Sequence, residues 1–158
     1  MIYSDILRRL RYALNITDAI LLEIFALGKM PIFQERIDCM LKKDEEPGFI
    51  ECSNAEMHAF LNGFIIKRRG AKDTTETKTS TDTRLPHLSN NDILKALRIA
   101  LALKDIDIIE IMNNAKVTVS KSEINALFRK KGQDNYKQCG DQFLRSFISG
   151  LNYKHREQ

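Results

Sequence analysis

The fold is decided by two similar stretches, DILRRLRYAL at residues 5–14 and DILKALRIAL at residues 92–101. Extending their alignment outward, at an offset of 87 residues, matches residues 5–69 with residues 92–156 without a gap. In this one register, 18 of the 65 aligned positions are identical. Such agreement indicates a tandem duplication rather than chance similarity.

The positions that are apolar in both copies predict helices. In each copy the apolar residues recur at spacings of three and four, which places them on one face of an α-helix. We expect the first helix of the two copies near residues 4–15 and 91–102, and the second near 18–27 and 105–114, with Asp18 and Asp105 as N-caps. The sequence therefore predicts an all-α fold, a tandem repeat of two small four-helix modules.

Local start signals mark the third and fourth helices. Ser120 with Glu123 predicts a capping box at the start of the third helix in the second copy. Ser53 with Glu56 predicts a capping box at the start of the fourth helix in the first copy. The first copy has no box at residues 33–36, so its third helix is expected to begin less firmly.

The duplication predicts the domain organisation. Residues 1–70 form the first module and residues 89–158 the second. Between them, residues 71–88 are rich in Thr, Lys and Asp, contain Pro86 and lack an apolar period, so they are predicted to be a polar linker. A flexible linker of about 18 residues has a span of roughly 25 Å, which allows the modules either to dock or to stay apart.

Length and composition favour a protein of the cytoplasm without a membrane partner. A chain of 158 residues with 43% hydrophobic residues is able to bury a core. No run approaches the roughly 18 apolar residues of a membrane-spanning helix. Asp5, Arg8 and Arg9 lie where a signal peptide would have its apolar centre.

Several small residues are expected to serve packing. Cys39, Cys52 and Cys139 are an odd number without a CxxC pair, which favours buried thiols over a disulfide framework or a zinc site. Gly63 and Gly150 occupy equivalent positions inside the fourth helices, where close helix packing is a better explanation than phosphate binding.

No residue pattern predicts catalysis. The three histidines, His58, His87 and His155, lack the four-residue spacing of a metal-binding helix, and no P-loop, GxGxxG or GxSxG motif is present. Glu23 and Glu110 match across the copies, but a solvated helix face explains them better than a catalytic pair. We therefore expect a protein that is not an enzyme and has no metal and no cofactor.

The positive charge is confined to the second half. Residues 1–70 contain 10 Lys or Arg and 10 Asp or Glu, whereas residues 92–158 contain 12 and 8. The net charge of +4 therefore lies in the second module. This asymmetry is compatible with an anionic partner, and equally with an ordinary solvated surface.

The second and third helices of each copy resemble a helix-turn-helix with a turn longer than the usual three or four residues. In the second copy, Lys121, Asn125 and Arg129 are spaced by four residues and are expected to share one helix face. Lys130 and Lys131 extend that face into the following loop. Because Arg and Asn contact base edges and Lys contacts phosphates, these five residues are a candidate nucleic-acid surface.

The sequence favours an interaction module for a protein partner or for self-association, with nucleic-acid binding as the alternative. Residues 44–46 are Asp-Glu-Glu, and the basic run at residues 129–131 lies at nearly the same position of the second copy. Patches of opposite sign at equivalent positions favour head-to-tail pairing, between chains or between the two copies. The same acidic run, together with Asp38, would repel phosphate from the first copy.

Several segments resemble a known family. They are KKDEEPGF at 42–49, FLNG at 60–63, KRRG at 67–70, NDILK at 91–95 and CGDQ at 139–142. Together they are similar to the YehS family of duplicated bacterial proteins, over nearly the whole chain. The resemblance implies a bacterial source. The function of that family is unknown, so the resemblance supplies no catalytic residues.

Overall fold

The chain is described by a computed structural model over residues 1–70, 85–151 and 155–156. Within these residues all regular structure is helical, and each half contains four helices, as predicted. The helices are α1 (Tyr3–Leu14), α2 (Asp18–Leu27), α3 (Gln34–Leu41), α4 (Asn54–Arg69), α5 (Asn90–Ala100), α6 (Asp105–Asn114), α7 (Lys121–Leu127) and α8 (Asp141–Gly150). Over the same residues, none has the length and apolar content that crossing a membrane requires.

Both predicted capping boxes are confirmed. At the start of α4 the Ser53 hydroxyl accepts a hydrogen bond from the backbone N–H of Glu56 at 3.1 Å. At the start of α7 the Ser120 hydroxyl accepts one from Glu123, also at 3.1 Å. The N-cap of α3, Phe33, makes no side-chain cap bond, in agreement with the weaker start expected for that helix.

The predicted N-caps of α2 and α6 are wrong by one residue. The residues at the N-cap positions are Thr17 and Lys104. Asp18 and Asp105 are instead the first helical residues, and each pairs with an arginine of the preceding helix. Asp18 lies 2.5 Å from Arg11, and Asp105 lies 2.8 Å from Arg98. Both carboxylates therefore tie two helices together while still lying at a positive helix end.

Gly63 and Gly150 allow two backbones to touch, as the sequence predicts. A Cβ atom at Gly63 would lie 1.8 Å from the carbonyl oxygen of Ile24, so α4 packs directly on the backbone of α2. In the second half, a Cβ atom at Gly150 would lie 1.9 Å from the carbonyl oxygen of Ile111. No larger residue fits either position without movement of the backbone.

The two halves dock on each other. Helix α1 packs on α8, and α4 packs on α5. Because α1 corresponds to α5 and α4 to α8, exchanging the two halves converts one of these contacts into the other. Buried residues from both halves form a single hydrophobic cluster. The halves are therefore two copies of one helical unit that share a core.

The end of the predicted linker lies on the first half. The Asn54 amide donates to the carbonyl oxygens of Leu85 and Pro86, at 3.2 and 3.1 Å. Its own oxygen accepts from the backbone N–H of Leu88 at 3.1 Å. The rest of that linker, residues 71–84, lies outside the described residues. The boundaries at residues 70 and 89 remain a prediction.

We predict that Gly63→Ala lowers the free energy of unfolding by about 3 kcal/mol, because the added methyl group collides with backbone rather than with a movable side chain. Gly150→Ala should act in the same direction. The matched control is Gly140→Ala, where an added Cβ has no neighbour within 4 Å. At this N-cap position we expect a change within about 1 kcal/mol. Urea unfolding followed by circular dichroism measures all three, and equal losses at Gly63 and Gly140 would contradict the packing argument.

Candidate nucleic-acid interface

Two loops of the same shape follow α3 and α7. We name residues 42–50 the acidic loop and residues 129–137 the basic loop. In the acidic loop the backbone N–H of Lys43 donates to the side-chain oxygen of Glu46 at 3.0 Å. In the basic loop the backbone N–H of Lys130 donates to the side-chain oxygen of Gln133 at 2.7 Å. The backbone hydrogen bonds within each loop, and those from each loop to the preceding helix, also correspond. The two loops therefore have the same backbone conformation.

The two loops differ mainly in charge. Asp44 of the acidic loop is replaced by Lys131, Glu45 by Gly132 and Glu46 by Gln133. The first two positions of both loops are basic. All five residues at 43–47 and all five at 130–134 are exposed. One exposed backbone shape therefore presents a mixed surface in the first half and a positive one in the second.

The five residues predicted to bind nucleic acid all lie at the surface. These are Lys121, Asn125, Arg129, Lys130 and Lys131. Lys121 and Asn125 lie on α7, but Arg129 does not, because the helix ends at Leu127 and is capped by Phe128. The prediction that Arg129 shares that helix is wrong. It is the second residue after the helix end, in a turn where its N–H donates to the carbonyl oxygen of Ala126 at 3.4 Å.

These basic side chains have no acidic partner in the part of the chain that the structure describes. No ion pair there involves the side chains of Lys121, Arg129, Lys130 or Lys131. The neighbouring Lys137 contacts Glu123 at 3.5 Å. The equivalent region of the first half is compensated, because Asp44 lies 3.4 Å from Arg8. Within the described residues, the basic surface of the second half therefore lacks the acidic partner that the equivalent region of the first half has.

A pair of helices precedes each loop, α2 and α3 before the acidic loop and α6 and α7 before the basic loop. Residues 28–33 join α2 to α3, and residues 115–120 join α6 to α7. Lys29 and Lys116, identical in the two copies, both have a left-handed backbone, with φ of 65° and 64°. The connection is two or more residues longer than the usual turn, in agreement with the sequence. Exposed positions of α7 therefore lie at the surface of a compact helix pair.

A buried asparagine holds the basic loop in place. The amide of Asn91 donates to the carbonyl oxygens of Leu127 and Lys137, each at 2.9 Å, and so closes both ends of the loop. Its oxygen accepts from the backbone N–H of Cys139 at 2.8 Å. In the first half Ser4 accepts from Cys52 at 2.8 Å. Sequence comparison missed these two positions because the equivalent residues differ in type.

Two of the three cysteines are buried, as predicted, whereas Cys39 is only half-buried. Burial raises the pKa of the Cys52 thiol to about 12 and that of the Cys139 thiol to about 11. Both thiols therefore stay protonated near neutral pH. A protonated thiol is a poor nucleophile and a poor metal ligand, so both act as small apolar side chains.

The remaining candidate groups have structural contacts. His58 Nε2 lies 2.7 Å from the carbonyl oxygen of Pro86. His87 Nδ1 lies 3.0 Å from the hydroxyl of Tyr3. Glu23 is exposed and pairs with Lys67 at 3.1 Å. Over the described ranges, no three His, Cys, Asp or Glu side chains are grouped so that they could hold a metal ion.

Fold and repeat define the class as a duplicated, all-helical protein. Comparison with known families matches residues 4–70 and 90–157, one match in each half, to the family described as "Protein of unknown function (DUF1456)". The chain is 40% identical over 151 residues to the "Uncharacterized protein YehS" of Escherichia coli (strain K12), covering 96% of this chain and 94% of that protein. The chain belongs to this family. No solved structure matches it.

We predict that Asn91→Leu lowers the free energy of unfolding by about 3 kcal/mol, because it leaves one buried N–H and two carbonyl groups without their partner. Asn91→Ser should lose less, since a serine at the equivalent position already accepts the same bond in the first half. Exposed Asn113→Leu is the matched control and should change stability by no more than about 0.5 kcal/mol. Thermal unfolding distinguishes the three variants. Equal losses for the leucine and serine variants would contradict the role of the Asn91 oxygen.

Proposed function

We propose that this protein is a binding protein rather than an enzyme, and that its second half binds nucleic acid. The observation that carries the proposal is the basic surface of Lys121, Asn125, Arg129, Lys130 and Lys131, which is exposed and has no acidic partner in the described residues. Proteins bind the phosphate backbone through clusters of this kind, in which Lys and Arg displace condensed counterions.

The two copies supply an internal comparison that supports the proposal. Their loops have the same hydrogen bonds but carry opposite charges at positions 44 and 131. Both loops close with the same hydrogen bonds, whichever charge stands at this position. Folding alone therefore does not explain why the charge is reversed between the two copies. Asn91 also anchors the basic loop to α5, so the cations are presented from a held backbone. A preorganised surface loses less entropy when it binds.

The proposal includes a cytoplasmic location. Its support is that the three cysteines are all free thiols. Reducing compartments keep thiols unpaired, whereas secreted domains of this size commonly form disulfides.

We predict that Arg129→Ala with Lys130→Ala weakens binding to a fluorescent duplex of 20 base pairs. The slope of log affinity against log salt between about 50 and 200 mM should fall by about 0.9 for each phosphate group that the variant no longer neutralises. The test uses the full chain, because the two halves share one hydrophobic cluster.

The matched control is Lys42→Ala with Lys43→Ala, which removes two positive charges from the equivalent positions of the first half. This variant should keep the affinity and the salt slope of the parent protein. Equal losses in the two double variants would mean that net charge alone matters, which contradicts a local site. No binding to duplex or single-stranded nucleic acid at about 50 mM salt would reject the function.

Self-association is a second candidate, favoured by the equal shape and opposite charge of the two loops. Glu45 and Glu46 are exposed in the acidic loop, as are Lys130 and Lys131 in the basic loop. No ion pair within the described residues joins the two loops of one chain. The acidic loop is thus available to the basic loop of a second chain. Tyr12 and Phe33, 85% and 81% exposed, also provide apolar surface for a protein partner.

If the loops pair between chains, Glu45→Lys with Glu46→Gln should reduce association at least about tenfold, because the acidic loop then carries net positive charge, while the glutamine keeps a side-chain oxygen for the Lys43 N–H, as Gln133 does in the basic loop. Sedimentation equilibrium at about 50 and 500 mM salt measures the association constant. High salt should also weaken the association of the parent protein, because it screens the charges. Glu35→Lys, at an exposed position of α3, is the control. A mass that is independent of concentration and salt would contradict this candidate.

A further inference from the structure

A cleft of about 480 Å³ lies where the end of α4 meets α5. Arg69 comes from the first half, whereas Lys95, Arg98, Ile99 and Phe128 come from the second. Ala102 and Leu103 complete the lining. A volume of this size is within the range of small-molecule sites in proteins. The cleft forms only because the two halves dock.

The lining of the cleft combines three cations with apolar side chains, and no carboxylate of the described residues is part of it. Lys95 is exposed, and within the described residues its ammonium group makes no hydrogen bond or ion pair. The nearest acidic residue on its own helix is Asp92, whose carboxylate accepts from the backbone N–H of Ser89 at 2.9 Å and so caps the helix. The positive charge of Lys95 is therefore available to a ligand.

Arg98 is held rigidly at the wall of the cleft. Its Nε donates to the carbonyl oxygen of Leu103 at 3.1 Å, and its Nη2 donates to Asp105 at 2.8 Å. The guanidinium carbon lies 4.5 Å from the centre of the Phe128 ring, so the group stacks on an aromatic face. These contacts use Nε and Nη2, and Nη1 has no bond within the described residues. A fixed guanidinium with a spare donor suits an oxyanion.

The equivalent place in the first half is already occupied by acidic groups. The counterparts of Lys95 and Phe128 are Arg8 and Leu41. Arg8 contacts Asp5 and Asp44, each at 3.4 Å, and also donates to the carbonyl oxygen of Lys42. The protein therefore neutralises this cation in one copy and leaves it uncompensated in the other.

We propose that the cleft binds a small organic phosphate, distinct from the nucleic acid assigned to the basic surface. The phosphate contacts Lys95 and Arg98, because lysine and arginine are the donors that proteins use for phosphate and both side chains line the same cleft. The organic part lies on Ile99 and Leu103, whose side chains provide the apolar wall. A ligand with both a phosphate and an apolar part contacts the cations and the apolar wall at once, whereas an inorganic ion contacts only the cations.

The test is a titration of the full chain with phenyl phosphate, followed by amide shifts in NMR. Saturable shifts should concentrate at residues 95–103 and at Phe128. Benzyl alcohol, the neutral counterpart, should cause none of these shifts. Inorganic phosphate should bind at least about tenfold more weakly, since it lacks the apolar part. Phenylacetate, a carboxylate of similar size, separates phosphate recognition from general anion binding and should also bind more weakly.

Lys95→Glu should weaken phenyl phosphate binding at least about tenfold. Lys43→Glu, which makes the same charge change in the first half and outside the cleft, should leave it within about twofold. Both residues are exposed, so neither change threatens folding. Equal effects of the two variants, equal binding of benzyl alcohol, or no saturation by phenyl phosphate would overturn the proposal. Loss of duplex binding in the Arg129 and Lys130 variant is a separate readout, so the two proposals fail independently.

Discussion

The rest of the structure depends on the contact between the backbone of α4 at Gly63 and the carbonyl oxygen of Ile24. Without a side chain between them, α2 and α4 approach closely enough for α4 to reach α5 with its other side. The same contact at Gly150 brings α8 against α6 and leaves it packed on α1. Because the contact is used once in each half, it fixes both the four-helix unit and the junction between the two units. Arg69, the last residue of α4, consequently lies beside α5.

Duplication under this packing constraint leaves some positions fixed and others free to change. The glycines cannot vary, because a Cβ atom at either site would overlap a carbonyl group. The loops after α3 and α7 are less constrained. Glu46 and Gln133 both provide a side-chain oxygen for the same backbone N–H, so the loop closes whether that residue is charged or neutral. Charge was thus able to diverge between the copies while the fold stayed the same.

The sequence predicts those parts of the fold that depend on periodic or local signals. Repeated apolar spacing predicts eight helices, and two capping boxes predict where α4 and α7 begin. Contacts between distant residues leave no such signal. Asn91 closes the basic loop across 36 and 46 residues, and Arg36 pairs with Glu56 at 2.5 Å across 20 residues. The cleft requires Arg69 from the other half, so inspection of either copy alone could not find it.

One pair of equivalent positions connects the basic loop with the cleft. In the first half Asp44 lies in the acidic loop and contacts Arg8 on α1. This one carboxylate therefore adds negative charge to the loop and also neutralises a cation of the helix. At the equivalent position of the second half, Lys131 adds a charge to the loop and removes the partner that Lys95 would otherwise have. The basic loop and the cleft thus both lack the carboxylate that neutralises the equivalent cation of the first half. Because the proposed nucleic-acid surface and the proposed phosphate cleft consist of different side chains, the two proposals do not require a shared ligand.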